Sequence, residues 1–160
     1  MTSTQVNCVL IDLDNTLSHF LGRGGSKGFF RIFSRQGISE ALCRERYEFL
    51  KKEGFSLKKF LNELATHGVS ILSRTLLRER LEREFDLWLR SSLVLYPDSL
   101  PAITLWQEHH IPVCIVTAGD EAFQRQKVEF LHLPHDAVVV LPYVAEKKSV
   151  VRTILVQFGP

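Results

Sequence analysis

The sequence predicts an α/β fold, a parallel sheet packed between helices and interrupted by an all-helical insert, and three observations predict it. Val6, Cys8, Val9, Leu10, Ile11 and Leu13 form a short, almost continuous apolar run rich in β-branched residues, which suits a strand covered on both faces. From Phe29 to about Ser92 the apolar residues recur at helical spacing. After Tyr96, strand-like and helix-like segments alternate, which implies parallel strands joined by right-handed crossovers.

The first strand ends in "DLDNT". Asp12 and Asp14 have the two-residue spacing that places side chains on one face of a strand, so two carboxylates crowd its carboxyl end. Bare, they repel, and either a cation joins them or one keeps its proton. The plainer alternative is an Asp/Asn turn in which Asp14 and Asn15 hydrogen-bond their own backbone. Next comes "SHFLGRGGSKGFF", with Gly22, Gly24, Gly25 and Gly28. It reads as a hinge loop, since the phosphate-loop pattern G-x-x-x-x-G-K-[ST] is absent.

In the insert, Ser39, Ser56 and Ser73 are each placed to cap a following helix, and Gly54 and Gly68 to end the first two. On the last of these helices Leu77, Leu81, Phe85, Trp88 and Leu89 form one stripe, while Arg78 with Glu82 and Arg80 with Glu84 pair outside. A helix then starts near Asp98 or Ser99, followed by the strand "IPVCIVT", the helix "DEAFQRQKVEFLHL", the strand "AVVVLPYV" and the helix "KKSVVRTILVQF". The domains expected are therefore a core of residues 1–20 and 93–160 around an insert of residues 21–92.

A chain of 160 residues suffices for one domain, or a core with an insertion. Cys8, Cys43 and Cys114 are odd in number and lack close metal-ligand spacing, so they read as reduced thiols of a cytoplasmic protein. Neither a leader peptide nor a membrane span is expected. The net charge of +2 conceals a basic middle: residues 23–90 carry 15 Lys/Arg against 9 Asp/Glu. That excess reads as solvated helix faces. No nucleic-acid partner is expected, because no aromatic-basic alternation suited to base stacking occurs.

In an open parallel sheet, ligands bind beyond the carboxyl ends of the strands. This selects Asp12 to Thr16, Thr117 to Asp120, and the segment containing Lys147 and Lys148. Two carboxylates, a strand-terminal threonine before a flexible turn, and a lysine suit phosphoryl transfer. With "DLDNT", "VTAGD" and "EKK" in that order, the chain resembles the haloacid dehalogenase (HAD)-like hydrolase superfamily, specifically its phosphatases with a helical cap between the first and second motifs. The resemblance implies a Rossmann-like core and hydrolysis of small phosphorylated metabolites through an aspartyl phosphate.

On that resemblance Asp12 is the nucleophile, Asp14 the proton donor and then base, Thr117 a phosphoryl-binding hydroxyl, and Lys147 the neutralising cation, with Lys148 its alternate. Main-chain N–H groups near Asn15, Ala118 and Gly119 would hold phosphoryl oxygens. Mg²⁺ would bind Asp12 and the main-chain carbonyl of Asp14. Each residue also has a plainer role: Thr117 as a cap, Gly119 as a turn, the lysines as solvated first-turn residues, and His109–His110 as a surface helix end.

The family's fourth motif, an acidic pair after one more strand, has no counterpart before "VQFGP". The core is thus expected to be incomplete at its C-terminus, with Asp120, less so Asp136, as a substitute metal ligand. The first strand is expected at a sheet edge, which invites a homodimer or a partner that supplies a strand. A catalytically silent binding module is the alternative to the enzyme.

Overall fold

The computed structural model describes residues 8–21, 24–70, 75–142, 151 and 153–154. Their elements are β1 (Val9–Ile11), β2 (Ser18–Phe20), α1 (Gly24–Ser34), α2 (Glu40–Glu53), α3 (Leu57–Thr66), α4 (Thr75–Ser92), β3 (Leu93–Leu95), α5 (Ser99–Glu108), β4 (Val113–Ala118), α6 (Glu121–Leu131) and β5 (Ala137–Leu141). The chain divides into two compact units, Met1–His19 with Leu95–Pro160, and Phe20–Val94.

In the first unit the strands run in the order β1-β4-β5, all parallel, with Ile11 beside Ile115 and Thr117 beside Val140. Alternation along β4 divides its side chains between two faces. Val113 and Ile115 pack with Leu13, Leu17, Ile103 and Val128, whereas Cys114 and Val116 pack with Leu141 and Ile154. Both faces are covered, which is why these strands read as continuous apolar runs. The α/β fold class follows from this sheet and its flanking helices. Val151, Thr153 and Ile154 are helical, and the rest of the expected last helix lies outside the described residues.

The second unit is helical apart from the ends of the β2-β3 ribbon. Ser39 and Ser56 cap α2 and α3 by accepting the N–H of Leu42 and Lys59, and Gly54 ends α2 at φ 89°. Ser73 lies outside the described residues. Leu81, Phe85 and Leu89 of α4 are buried, and its outer face carries the Arg78–Glu82 and Arg80–Glu84 pairs. Phe29 is the centre of an aromatic core with Phe33, Phe55, Phe60, Phe85 and Trp88, at centroid separations of 5.0–5.7 Å where these rings meet Phe29 or Phe33 meets Phe60.

Two expectations need correction. The glycine-rich segment is not a hinge loop throughout, because α1 begins at Gly24. At Gly28 the absent side chain admits the α4 indole: a Cβ there would lie 2.7 Å from Trp88 Nε1. The two short strands β2 and β3 were not foreseen, being too brief to show a period. Among the described residues no helix is long and apolar enough to cross a membrane.

Gly→Ala in a helix interior normally stabilises by about 1 kcal/mol, but overpacking a fixed ring costs about 1–3 kcal/mol. Gly28→Ala is therefore expected to lower stability by about 1 kcal/mol in urea unfolding, because Trp88 is held by Phe20, Phe29 and Phe85. A second expectation concerns Cys43, which is fully buried and free. Burial first, and the Glu40 carboxylate second, push its thiol up from 9.0 to about 12. The folded chain keeps a proton that the unfolded chain loses, so this contribution is full below pH 9 and is lost as pH rises toward 12. Cys43→Ala should show a shallower fall in melting temperature over that range than the parent.

Candidate active site at the carboxyl end of the sheet

Asp12 follows β1 directly and lies at the carboxyl edge of the sheet, level with the far half of β4. Its Oδ1 accepts the N–H of Leu13 at 2.9 Å, which orients the carboxylate. The chain then turns sharply. The carbonyl of Leu13 accepts the N–H groups of both Leu17 and Ser18 at 3.0 Å, and Leu13 and Leu17 are buried beneath the turn. Asn15 adopts φ 59°, a left-handed conformation that asparagine tolerates better than most residues.

The turn brings Asp14 to α6. Lys127 Nζ donates to both carboxylate oxygens of Asp14 at 2.6 Å, and Gln124 Nε2 donates to Asp14 Oδ2 at 3.3 Å. Gln124 also binds Thr117: the threonine hydroxyl donates to Gln124 Oε1 at 3.1 Å, while Gln124 Nε2 donates to the Ala118 carbonyl at 3.0 Å. Thr117 lies at the same end of β4 and on the same face as Ile115, toward α6. Thr117, Gln124 and Lys127 are 1%, 5% and 2% exposed, so this network is interior and its members need their partners. Gly119, at φ 139°, turns the chain after β4, and a Cβ there would lie 3.0 Å from Gln124 Nε2.

An ammonium taken out of water costs several kcal/mol unless paired. Lys127 meets that condition through short, charge-assisted bonds to Asp14 and by sitting 5.2 Å from the centroid of the Phe123 ring. Burial lowers its pKa from the ordinary lysine value, against the pull of Asp14 and, more weakly, of Asp12. Sequence reading left open whether a cation or a proton resolves the crowding of the two aspartates. The structure supplies a cation from this chain, from a residue the sequence reading passed over.

Other expected residues fall elsewhere. Lys147 and Lys148 lie outside the described residues. The N–H of Asn15 donates to the Ser18 carbonyl and that of Gly119 to the Leu141 carbonyl, both at 2.8 Å, so neither is a spare donor for a phosphoryl oxygen in this structure. Asp120, expected as a metal ligand, is the N-cap of α6, its Oδ1 accepting the Phe123 N–H at 3.1 Å. Asp136 accepts the Val113 N–H at 2.7 Å, at the start of β4 and so at the opposite end of the sheet from Asp12. His109 and His110 are exposed beyond α5, as the surface reading had them.

Asp12 and the main-chain carbonyl of Asp14 are the groups that would hold magnesium. Among the described residues no three His, Cys, Asp or Glu side chains gather to hold a metal ion. Asp14 is committed to Lys127, Asp120 to the helix cap, and Asp136 to the far edge.

No protein-family model and no curated protein matches this sequence. Solved structures do. The chain is similar to a putative beta-phosphoglucomutase from Thermotoga maritima, at TM-score 0.62 and 14% identity over 96% of this chain and 71% of that one. It is also similar to a haloacid dehalogenase-like family hydrolase from Xanthomonas campestris, at TM-score 0.56 and 16% identity over 98% and 70%. A third is the L-2-haloacid dehalogenase from Xanthobacter autotrophicus with chloropropionic acid covalently bound, at TM-score 0.52 and 14% identity over 94% and 65%. The chain thus has the fold of the HAD-like hydrolases.

The buried Thr117 hydroxyl offers a direct check on the network. Thr117→Val keeps the shape but leaves Gln124 Oε1 without its donor, and is expected to cost about 1–2 kcal/mol of stability in denaturant unfolding.

Proposed function

We propose that this chain is a hydrolase of small phosphomonoesters in which Asp12 is the nucleophile. The observation that carries the reading is the convergence, at one end of the sheet, of Asp12 and Asp14 after β1 with Thr117 at the end of β4, Gln124 joining Asp14 to Thr117. In the first step an Asp12 oxygen bonds to phosphorus as the ester oxygen leaves, taking a proton from Asp14. In the second, water attacks the aspartyl phosphate, Asp14 receives the water proton, and phosphate departs. Thr117 supports the reading as a neighbouring hydroxyl, and Lys147 or Lys148 remains the proposed neutralising cation. Magnesium is the proposed cofactor on the strength of the family resemblance, and no step above is routed through it. A cytoplasmic location is proposed from the three free cysteines.

The choice between ester hydrolysis and dehalogenation rests on Asp14. A halide leaves without needing a proton, so that chemistry gives no task to a second carboxylate held in place by Lys127 and Gln124. A second reading, a silent module that binds a homodimer partner or another chain, is favoured by the position of β1 at the end of the described sheet, paired there with β4.

The purified chain, supplied with Mg²⁺ and p-nitrophenyl phosphate, should release phosphate, and Asp12→Asn should reduce the rate by about a thousandfold or more. Undiminished turnover in Asp12→Asn rejects the nucleophile. Turnover of a 2-haloacid but of no phosphate ester moves the assignment to dehalogenation. Association that survives Asp12→Asn, with no turnover of either substrate, favours the binding module.

A further inference from the structure

We infer that Lys127 is the built-in counter-cation of Asp14, a positioning residue that fixes its carboxylate and leaves a divalent ion little to gain at that side chain. The positioning part rests on the proposed hydrolase reading; the charge arrangement stands on geometry alone.

Three features carry it. First, both oxygens of Asp14 are engaged at 2.6 Å by one Nζ, which fixes the position and tilt of the carboxylate as a single-point contact would not. Second, the lysine is rooted: it is 2% exposed, its Nζ lies 5.2 Å from the Phe123 ring centroid, and Gln124 precedes it by three residues, which places both side chains on one face of α6. Gln124 holds Asp14 Oδ2 and Thr117 at once, so the same helical face grips the catalytic turn and the end of β4. Third, among the described residues no further acidic side chain gathers with Asp12 and Asp14. Asp120 caps α6 and Asp136 binds the start of β4. A divalent ion approaching Asp14 would meet a positive charge that is already in hydrogen-bond contact with both of its oxygens. The ammonium is buried, so little water lies on its side to screen that repulsion.

The test is Mn²⁺ binding to the full chain, followed by loss of the free-ion electron paramagnetic resonance signal, with no substrate present. The parent should bind Mn²⁺ weakly, without saturation at millimolar concentration. Lys127→Met should bind at least tenfold more tightly, because the Asp14 carboxylate loses its cation, and adding Asp14→Asn should abolish the gain. Lys127→Arg retains the charge and should behave as the parent does. A parent that binds as tightly as Lys127→Met overturns the inference, as does a folded Lys127→Met that gains nothing. Should Lys127→Met not fold, Lys127→Gln carries the same expectation; failure of both to fold while Lys127→Arg folds supports the counter-cation.

Kinetics test the positioning role. Lys127→Met should lower kcat for phosphate release by tenfold or more with KM changed less, and Lys127→Arg should recover part of it; equal kcat in all three overturns that role. The expected Mn²⁺ pattern in a chain that hydrolyses no phosphate ester leaves the counter-cation standing and rejects the hydrolase reading.

Discussion

The arrangement at the head of the sheet depends on one interaction, the buried pair of Lys127 with Asp14. A parallel strand that ends in two aspartates concentrates negative charge where the sheet's own polar edge and the surrounding apolar core offer little solvation. The α6 lysine offsets this charge from within the fold. Its burial is tolerable because Asp14 is there, and the lysine with Gln124 holds Asp14 at the head of the sheet. Removing either leaves the other partner worse off, and the loss is unequal: Lys127 is buried whereas about two-fifths of the Asp14 side chain is exposed. The lysine is the partner that has nowhere else to find solvation.

Sheet geometry sets up this meeting. The register of β1 on β4 places Asp12 beside the upper half of β4, and the parallel crossover brings α6 back across the face that Thr117 shares with Ile115. Helix periodicity then stacks Gln124 and Lys127 on that face, one towards Thr117 and both towards Asp14. Backbone topology thus does the work of assembling groups more than a hundred residues apart in sequence.

Much of this was legible in the sequence, and the parts that were not have definite reasons. β4 declares itself because a strand buried on both faces must be apolar throughout, and the half-buried β1 and β5 beside it carry similar apolar runs. Asp12, Asp14 and Thr117 fall at strand ends, where position alone marks them. Lys127 went unnoticed because a lysine in a charged helix is normally solvated. A signal was present: Gln124, Lys127, Val128 and Leu131 share one stripe of α6, and two polar residues on an apolar stripe ask for partners inside. Asp120 shows how one position carries two signals: its place after a strand suggests a ligand, and its place directly before a helix makes it the cap that the structure shows. Gly28 within α1 leaves room for the Trp88 indole, which lies where a Cβ would be, a contact no local pattern encodes.

The β2-β3 ribbon has a consequence for how such a chain can change. Leu21 N–H donates to the Ser92 carbonyl and Tyr96 N–H to the Leu17 carbonyl, at 2.8 and 3.0 Å, so the chain leaves and rejoins the sheet-bearing unit through neighbouring strands. From the standpoint of the core, everything between His19 and Leu95 is the tip of a hairpin. Lengthening a loop whose ends are already pinned adds closure entropy only as the logarithm of its length. The helical unit, with an aromatic core of its own, can therefore be lengthened, shortened or exchanged with little penalty to the sheet. Selection acting on it would be free to alter one module while leaving the register that aligns Asp12, Thr117 and Lys127 untouched.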